Sequence, residues 1–229
     1  MLLGISFTAC GSDDKDNPEG PDNQGPYLQK MEVNGRDWMT NIQRDNQGRI
    51  TQYTEEEDII KYVYTENAIY AFINGEKWMN YELTNNLITK SIYVYHREYG
   101  EDVMYTYQYN SEGYLSSFRH DDYIESTTKV IWSNGNIEEF QTIEEENTYS
   151  AKMKYTTYPN VLKVMPWWDE DLFDPILQAY GYYGKTPKFL PASGSYKDWT
   201  MTCSYSNFTS NGYPQTIVCD NDIWTLQWK

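Results

Sequence analysis

The side chains in this 229-residue sequence that are able to do chemistry are few in kind: two histidines, three cysteines and 34 acids. His120 lies in "RHDDY" beside Asp121 and Asp122, the raw material of a metal site or a His–carboxylate relay. A single imidazole with adjacent acids after a strand is more commonly a solvated side chain, and the other histidine, His96, is distant in sequence. Asp169, Glu170, Asp171 and Asp174 offer oxygen ligands of the kind calcium takes. They lack the Asp/Asn/Gly spacing of a calcium loop, and capping a following helix is the simpler use for them. No metal and no cofactor is therefore expected. Acids in this number supply many carboxylate pairs for glycoside hydrolysis, but abundance singles none out. The patterns HExxH, GxSxG, GxxxxGK[ST] and GxGxxG do not occur, so no catalytic residue is assigned. Flat aromatic faces stack on sugars, which makes Trp167, Trp168, Tyr182 and Tyr183 the candidate ligand-binding residues. Their competing use is to anchor an adjacent apolar helix in a core.

Charge narrows the partners. With 18 Lys+Arg against 34 Asp+Glu the formal net charge is −16, and no basic run occurs anywhere. Nucleic acid and acidic polysaccharides are thus disfavoured as ligands. Aromatics are 17% of the residues and tyrosine alone occurs 23 times, a composition suited to pleated, half-buried strands.

The N-terminal "MLLGISFTAC" is apolar up to Cys10 but has no basic start, so the natural translation start is expected upstream. Phe7-Thr8-Ala9-Cys10 resembles a bacterial lipobox, with Phe in place of the usual Leu, and Cys10 is the expected lipidation site. The next stretch, "GSDDKDNPEGPDNQGP", sets Asp13, Asp14, Asp16, Glu19 and Asp22 against Lys15 without one apolar side chain. It reads as a disordered tether spanning roughly 20 to 25 Å. The expected organisation is a signal-peptide remnant at 1–9, a lipidated cysteine and tether at 10–26, and one antiparallel β domain at 27–229.

Within that domain a short unit recurs, a turn residue followed by a hydrophobic residue two positions later and often by another three beyond that. It is read at "GRITQY", "NAIYAF", "NLITKS", "GYLSSF" and "GNIEEF", which begin at 48, 67, 86, 113 and 135. The intervals of 19, 19, 27 and 22 residues suit two strands and their turns, so each unit marks a hairpin of a meander. "SIYVYH" and "VMYTYQYN" alternate as strands do, and their tyrosines are expected in cross-strand ladders. One segment departs from this pattern. Leu172, Phe173, Ile176, Leu177 and Tyr180 recur at helical spacing, with Asp171 or Asp174 as cap, Pro175 early and Gly181 as stop. A short amphipathic helix near 171–180, packed on the sheet, is expected. A last hairpin, "MTCSYSNF" and "PQTIVCDN", places Cys203 opposite Cys219; a disulfide and a pair of buried thiols both remain open.

In sum the lipobox, the acidic tether, the hairpins with "NSEGYLSSF", the helix segment with "GYYGKTPKFLP" and the final turn "SNGY" resemble a family of Bacteroidetes lipoproteins of unknown function with a porin-like fold. The acidic patch behind Cys10 also resembles the export signal of lipoproteins moved to the outer face of the outer membrane. The resemblance implies an all-β, large curved antiparallel sheet or barrel. It also implies lipid anchoring in the outer membrane, facing the exterior or else the periplasm, and it brings no catalytic residues. The charges in "TEEEDIIKYVYTE" and "NGNIEEFQTIEEENTYS", with a mean hydropathy of −0.78, argue against strands that cross a bilayer. Two functions remain open: a non-catalytic module binding a glycan or an envelope protein, and a carbohydrate-active hydrolase using an unidentified carboxylate pair.

Overall fold

Each turn-plus-hydrophobic unit becomes the start of an odd-numbered strand in a barrel. The computed structural model describes residues 26–94, 102–121, 126–145, 147–165, 173–196 and 199–229. The strands are β1 (Leu28–Val33), β2 (Arg36–Arg44), β3 (Ile50–Glu55), β4 (Asp58–Tyr64), β5 (Ala68–Ile73), β6 (Glu76–Thr84), β7 (Leu87–Tyr93) and β8 (Val103–Tyr109). They continue as β9 (Leu115–Asp121), β10 (Ser126–Ser133), β11 (Asn136–Glu144), β12 (Asn147–Pro159), β13 (Phe189–Tyr196), β14 (Trp199–Phe208), β15 (Pro214–Cys219) and β16 (Asp222–Trp228). Every strand pairs antiparallel with its sequence neighbours, and β1 pairs with β16, Met31 opposite Leu226, so the sheet closes into a barrel and leaves no edge. Asn34-Gly35, Asn74-Gly75 and Asn134-Gly135 make two-residue turns with both φ positive, the hairpin geometry whose twist matches that of the strands.

The spacing of two and five in the repeat is explained by a bulge. Side chains alternate along a strand, so positions three apart face opposite ways unless one extra residue intervenes. In β3, β7, β9 and β11 the extra residues are Thr51, Thr89, Ser116 and Glu138, which the register skips. Both repeat positions then turn inward. The unit starting at 67 shows the converse: β5 runs against β4 without a skip, Ala71 takes the inward place, and Phe72 faces out. Ile50, Ile69, Ile88, Leu115 and Ile137, the first hydrophobics of the five units, form a belt inside one barrel end, none more than 1% exposed.

A bulge leaves backbone groups without ladder partners, and the following even strand supplies them. Tyr64 Oη donates to the Ile50 carbonyl at 2.8 Å, Tyr109 Oη to Ile88 at 2.7 Å, and Trp132 Nε1 to Leu115 at 2.7 Å. Tyr155 Oη instead accepts from Ile137 N at 3.1 Å. The pattern extends past the recognised repeats: Arg44 to Leu28 at 3.0 Å, Tyr205 to Pro191 at 2.9 Å and Trp228 to Pro214 at 2.9 Å. In the β5–β6 hairpin, which lacks the bulge on β5, the corresponding residue is Leu83 and no donor is needed. Much of the tyrosine supply is thus structural.

The connection from β12 to β13 turns back into the barrel and fills it. Its arms meet at Asn160, whose Nδ2 donates to the carbonyls of Val164 and Pro187, each at 2.9 Å, while its Oδ1 accepts from Val164 N. The helix α1 (Pro175–Ala179) has Asp174 as N-cap and Pro175 at its first position, as the sequence indicates. Its location differs from the expectation. It lies inside the barrel and not on the outside of the sheet, since a hydrophobic stripe demands a partner surface but does not say which face of a sheet supplies it. Phe173, Ile176, Leu177 and Tyr183 are buried against inward side chains such as Tyr107 and Phe118, each large apolar one contributing about 1.5–3 kcal/mol.

The outer wall carries Lys61 (β4), Glu82 (β6), Lys90 (β7), Arg119 (β9), Lys129 (β10), Glu139 (β11) and Lys152 (β12), each next in sequence to a buried residue. A bilayer-spanning barrel has an apolar outer band and a polar lumen. Here the polarity is reversed. In the last hairpin the register pairs Cys203 with Cys219, and the two are disulfide-bonded across β14 and β15. The bond spans 16 residues of sequence, so a Cys203→Ala/Cys219→Ala variant is expected to lose about 3 kcal/mol in denaturant unfolding. Identical midpoints, or two free thiols by mass spectrometry of the non-reduced protein, would count against it.

Candidate functional site

Strand alternation separates the residues of the histidine motif. His120 turns inward and stacks on Tyr105 at 4.7 Å with planes 6° apart, whereas Asp121, one residue on, faces outward and accepts from Arg119 Nε at 2.8 Å. Neighbours in a strand point to opposite faces, so no His120–Asp121 relay forms. His120 is half-buried and not a solvated side chain. Asp122, His96, Trp167, Trp168, Asp169, Glu170 and Asp171 lie outside the described residues, as does Cys10. Among the described residues no three His, Cys, Asp or Glu side chains gather as a metal site requires.

The other two aromatic candidates part ways. Tyr183 is 1% exposed, packed edge-on against Tyr107 and Phe173, and its Oη accepts from Asp174 N at 3.3 Å. A ligand outside the barrel cannot touch it, which corrects the sequence-based assignment; the adjacent Tyr182 stays at the rim. There Tyr182 stacks on Tyr64 at 6.2 Å and its Oη accepts from Arg49 Nη1 at 3.2 Å. Tyr105, Tyr107 and Tyr109 likewise face the interior, so the aromatic-rich side of the sheet is its inside.

At the barrel centre Asp174 is 4% exposed and fully engaged. Its Oδ1 accepts from Ile176 N at 2.9 Å and Leu177 N at 3.1 Å, and its Oδ2 from Tyr62 Oη at 2.9 Å and Tyr81 Oη at 3.0 Å. Burial pushes its pKa above the usual carboxylate value, opposed by these four hydrogen bonds. Burial also holds the Tyr62 and Tyr81 hydroxyls well above 10, with the Asp174 charge adding to it. The carboxylate is an anchor for the plug, with its acceptor sites occupied by the protein itself. Nearer the rim Tyr180 Oη accepts from Ile50 N at 2.7 Å and donates to the Gly48 carbonyl at 3.2 Å, and burial raises its pKa to about 12.

An accessible concavity forms where the plug leaves the barrel. Lys185 N donates to the Gly113 carbonyl and Lys188 N to that of Gly135, each at 2.9 Å, stitching the outgoing arm to two hairpin turns. Gly184 passes so close to Gly113 that a Cβ there would collide with its carbonyl oxygen. The resulting cleft, about 610 Å³, is lined by Tyr114, Lys163, Lys185 and Lys188 with glycine backbone between them. Its size falls within the roughly 300–1,000 Å³ typical of ligand pockets. A second, smaller recess of about 390 Å³ lies on the outer wall around Ile59, Val63 and Phe72. The lysines of the cleft escaped the sequence reading because 163 and 185 lie on the two arms of the plug and meet only once it folds.

A family described as a domain of unknown function (DUF4595) with porin-like fold matches residues 42–215, about three quarters of the sequence. The chain belongs to this family. Two solved structures resemble the DUF4595 barrel closely in shape. A porin-like protein from Bacteroides uniformis ATCC 8492 superposes with a TM-score of 0.64 at 14% identity, covering 88% of this chain and 98% of the other. A porin-like protein from Bacteroides vulgatus ATCC 8482 gives 0.61 at 14% identity with the same coverage. At this identity they establish the fold of the DUF4595 chain and nothing of its ligand. No curated protein matches it.

Proposed function

We propose that this DUF4595 protein is a non-catalytic binding module of the bacterial envelope, anchored through Cys10 and presenting its barrel to a glycan or an envelope protein. The observation that carries this reading is the filled interior: plug and inward tyrosines occupy the space a channel or an internal active site would need, and the rim cleft is the larger of two concavities described at the surface. The lipobox-like Cys10 and the acidic tether after it support an anchored position, as does membership in a family with a porin-like fold.

A glycan array and a panel of glycosidase and esterase substrates test the binding half. Binding without turnover is expected, and turnover of any glycan or ester would overturn the non-catalytic reading in favour of a hydrolase. Membrane fractionation of the full chain against Cys10→Ala tests the anchor. More than one acyl chain, at about 0.8 kcal/mol per buried CH₂, should hold the wild type in the membrane fraction. Equal partitioning of the two would remove the anchor.

A further inference from the structure

We infer that the cleft at the plugged end is an anion-binding subsite, and that the ligand of the module is a saccharide bearing a carboxylate or sulfate group. This rests on the reading of the chain as a binding module and gives that module a ligand class. Three of the 18 cationic side chains, Lys163, Lys185 and Lys188, line one mouth. None of them forms a salt bridge among the described residues, whereas Lys30, Arg49, Lys90 and Arg119 each meet a carboxylate. In a chain whose acids outnumber its cations 34 to 18, three lysines left together without an acid partner need another source of negative charge.

The fold holds them there. Lys163 N donates to the Asn160 carbonyl at 3.1 Å, and the backbone bonds of Lys185 and Lys188 to Gly113 and Gly135 fix the other two on the rim. Like charges gathered by rigid backbone repel one another, and a bound anion relieves that repulsion. The intervening wall is glycine, which leaves room for a bulky ligand to reach the ammonium groups. Lys185 Nζ lies over the Tyr114 ring, 5.1 Å from its centre, and that ring packs on Trp132 at 4.6 Å, so cation and aromatic ring border the same space. That pairing suits a pyranose with one charged substituent. The net charge of −16 argued against acidic ligands, but at physiological salt charges beyond roughly 8 Å are largely screened. The local cluster governs the cleft.

The test compares binding of an oligogalacturonate, its methyl-esterified neutral counterpart and a sulfated oligosaccharide to the full chain. Lys163→Gln/Lys185→Gln/Lys188→Gln is measured beside Lys61→Gln/Lys129→Gln/Lys152→Gln, which makes the same charge change on the outer wall. Unfolding midpoints confirm that both variants fold. The expected result is that one or both anionic ligands bind, the neutral one does not, and the cleft variant alone weakens binding by roughly tenfold or more, the equivalent of one charge-assisted hydrogen bond. Anionic binding that survives the cleft variant, or is lost equally in the outer-wall variant, would overturn the subsite. Binding of neutral glycans alone would overturn it while leaving the module intact. A chain that binds none of these ligands, nor anything on the glycan array, would remove the saccharide-binding reading and the subsite with it.

Discussion

Asp174→Ala is expected to destabilise the barrel by roughly 3–7 kcal/mol in urea or guanidinium unfolding. The helix loses its cap, worth about 1 kcal/mol. Tyr62 and Tyr81 are left with buried hydroxyls lacking their acceptor, at about 1–3 kcal/mol each. Asp174→Asn keeps an oxygen for Ile176 N and Leu177 N and should cost much less. The two variants also differ in pH dependence. Because burial raises the Asp174 pKa, the folded state favours the neutral carboxyl. That contribution is fully present below the unfolded value of about 3.9 and is lost as pH rises through the folded value. As pH rises above about 4 the wild type should therefore lose stability relative to Asp174→Asn. Parallel pH curves for the two proteins would show that Asp174 does not titrate from a buried position.

Gly184→Ala should be nearly as damaging, at about 3 kcal/mol. Gly184 has φ +80°, where a Cβ costs about 1–2 kcal/mol, and that Cβ would also strike the Gly113 carbonyl and lie 3.1 and 3.2 Å from ring carbons of Tyr109. Gly212 is the natural control, with the same φ of +80° and nothing within 4 Å. Gly212→Ala should cost the conformational part alone. Equal losses at the two positions would mean the plug does not press against the β8–β9 turn. A larger loss at Gly184, accompanied by weaker ligand binding, would tie the cleft to that contact.

What the sequence shows and what it conceals follow from how local each signal is. The hairpins were legible because turn residues and hydrophobics recur along the chain, and the Asp174–Pro175 cap because capping involves adjacent residues. Cys203 opposite Cys219 was legible because a hairpin register follows from its turn. The bulges were written into the repeat as a spacing of two and five, although that spacing is recognised as a bulge only once both positions are seen to face inward. The direction of the tyrosines was not legible, since alternation says which residues share a face and not whether that face is inside or outside a closed barrel. For the same reason no sequence pattern distinguishes a helix packed on the sheet from one held within the barrel, or an exposed Tyr183 from a buried one. The lysine cleft depends on a loop returning through the barrel, a contact between distant residues that no local pattern encodes.

Alkaline titration of the phenolate absorbance tests most directly whether the barrel is filled by its own plug and tyrosines. Tyr53, Tyr62, Tyr81, Tyr105, Tyr107, Tyr183, Tyr205 and Tyr213 are all buried, out of 23 tyrosines in the chain. Burial raises the pKa of Tyr53, Tyr62, Tyr81, Tyr107 and Tyr183 well above 10, so the fold favours their neutral forms. Their contribution to stability is intact below about pH 10 and is lost as pH rises toward the folded values. The expected result is that the buried set ionises only together with cooperative unfolding, seen by circular dichroism at the same pH. A single reversible step near pH 10 that includes all 23 tyrosines with the β signal intact would contradict the filled barrel.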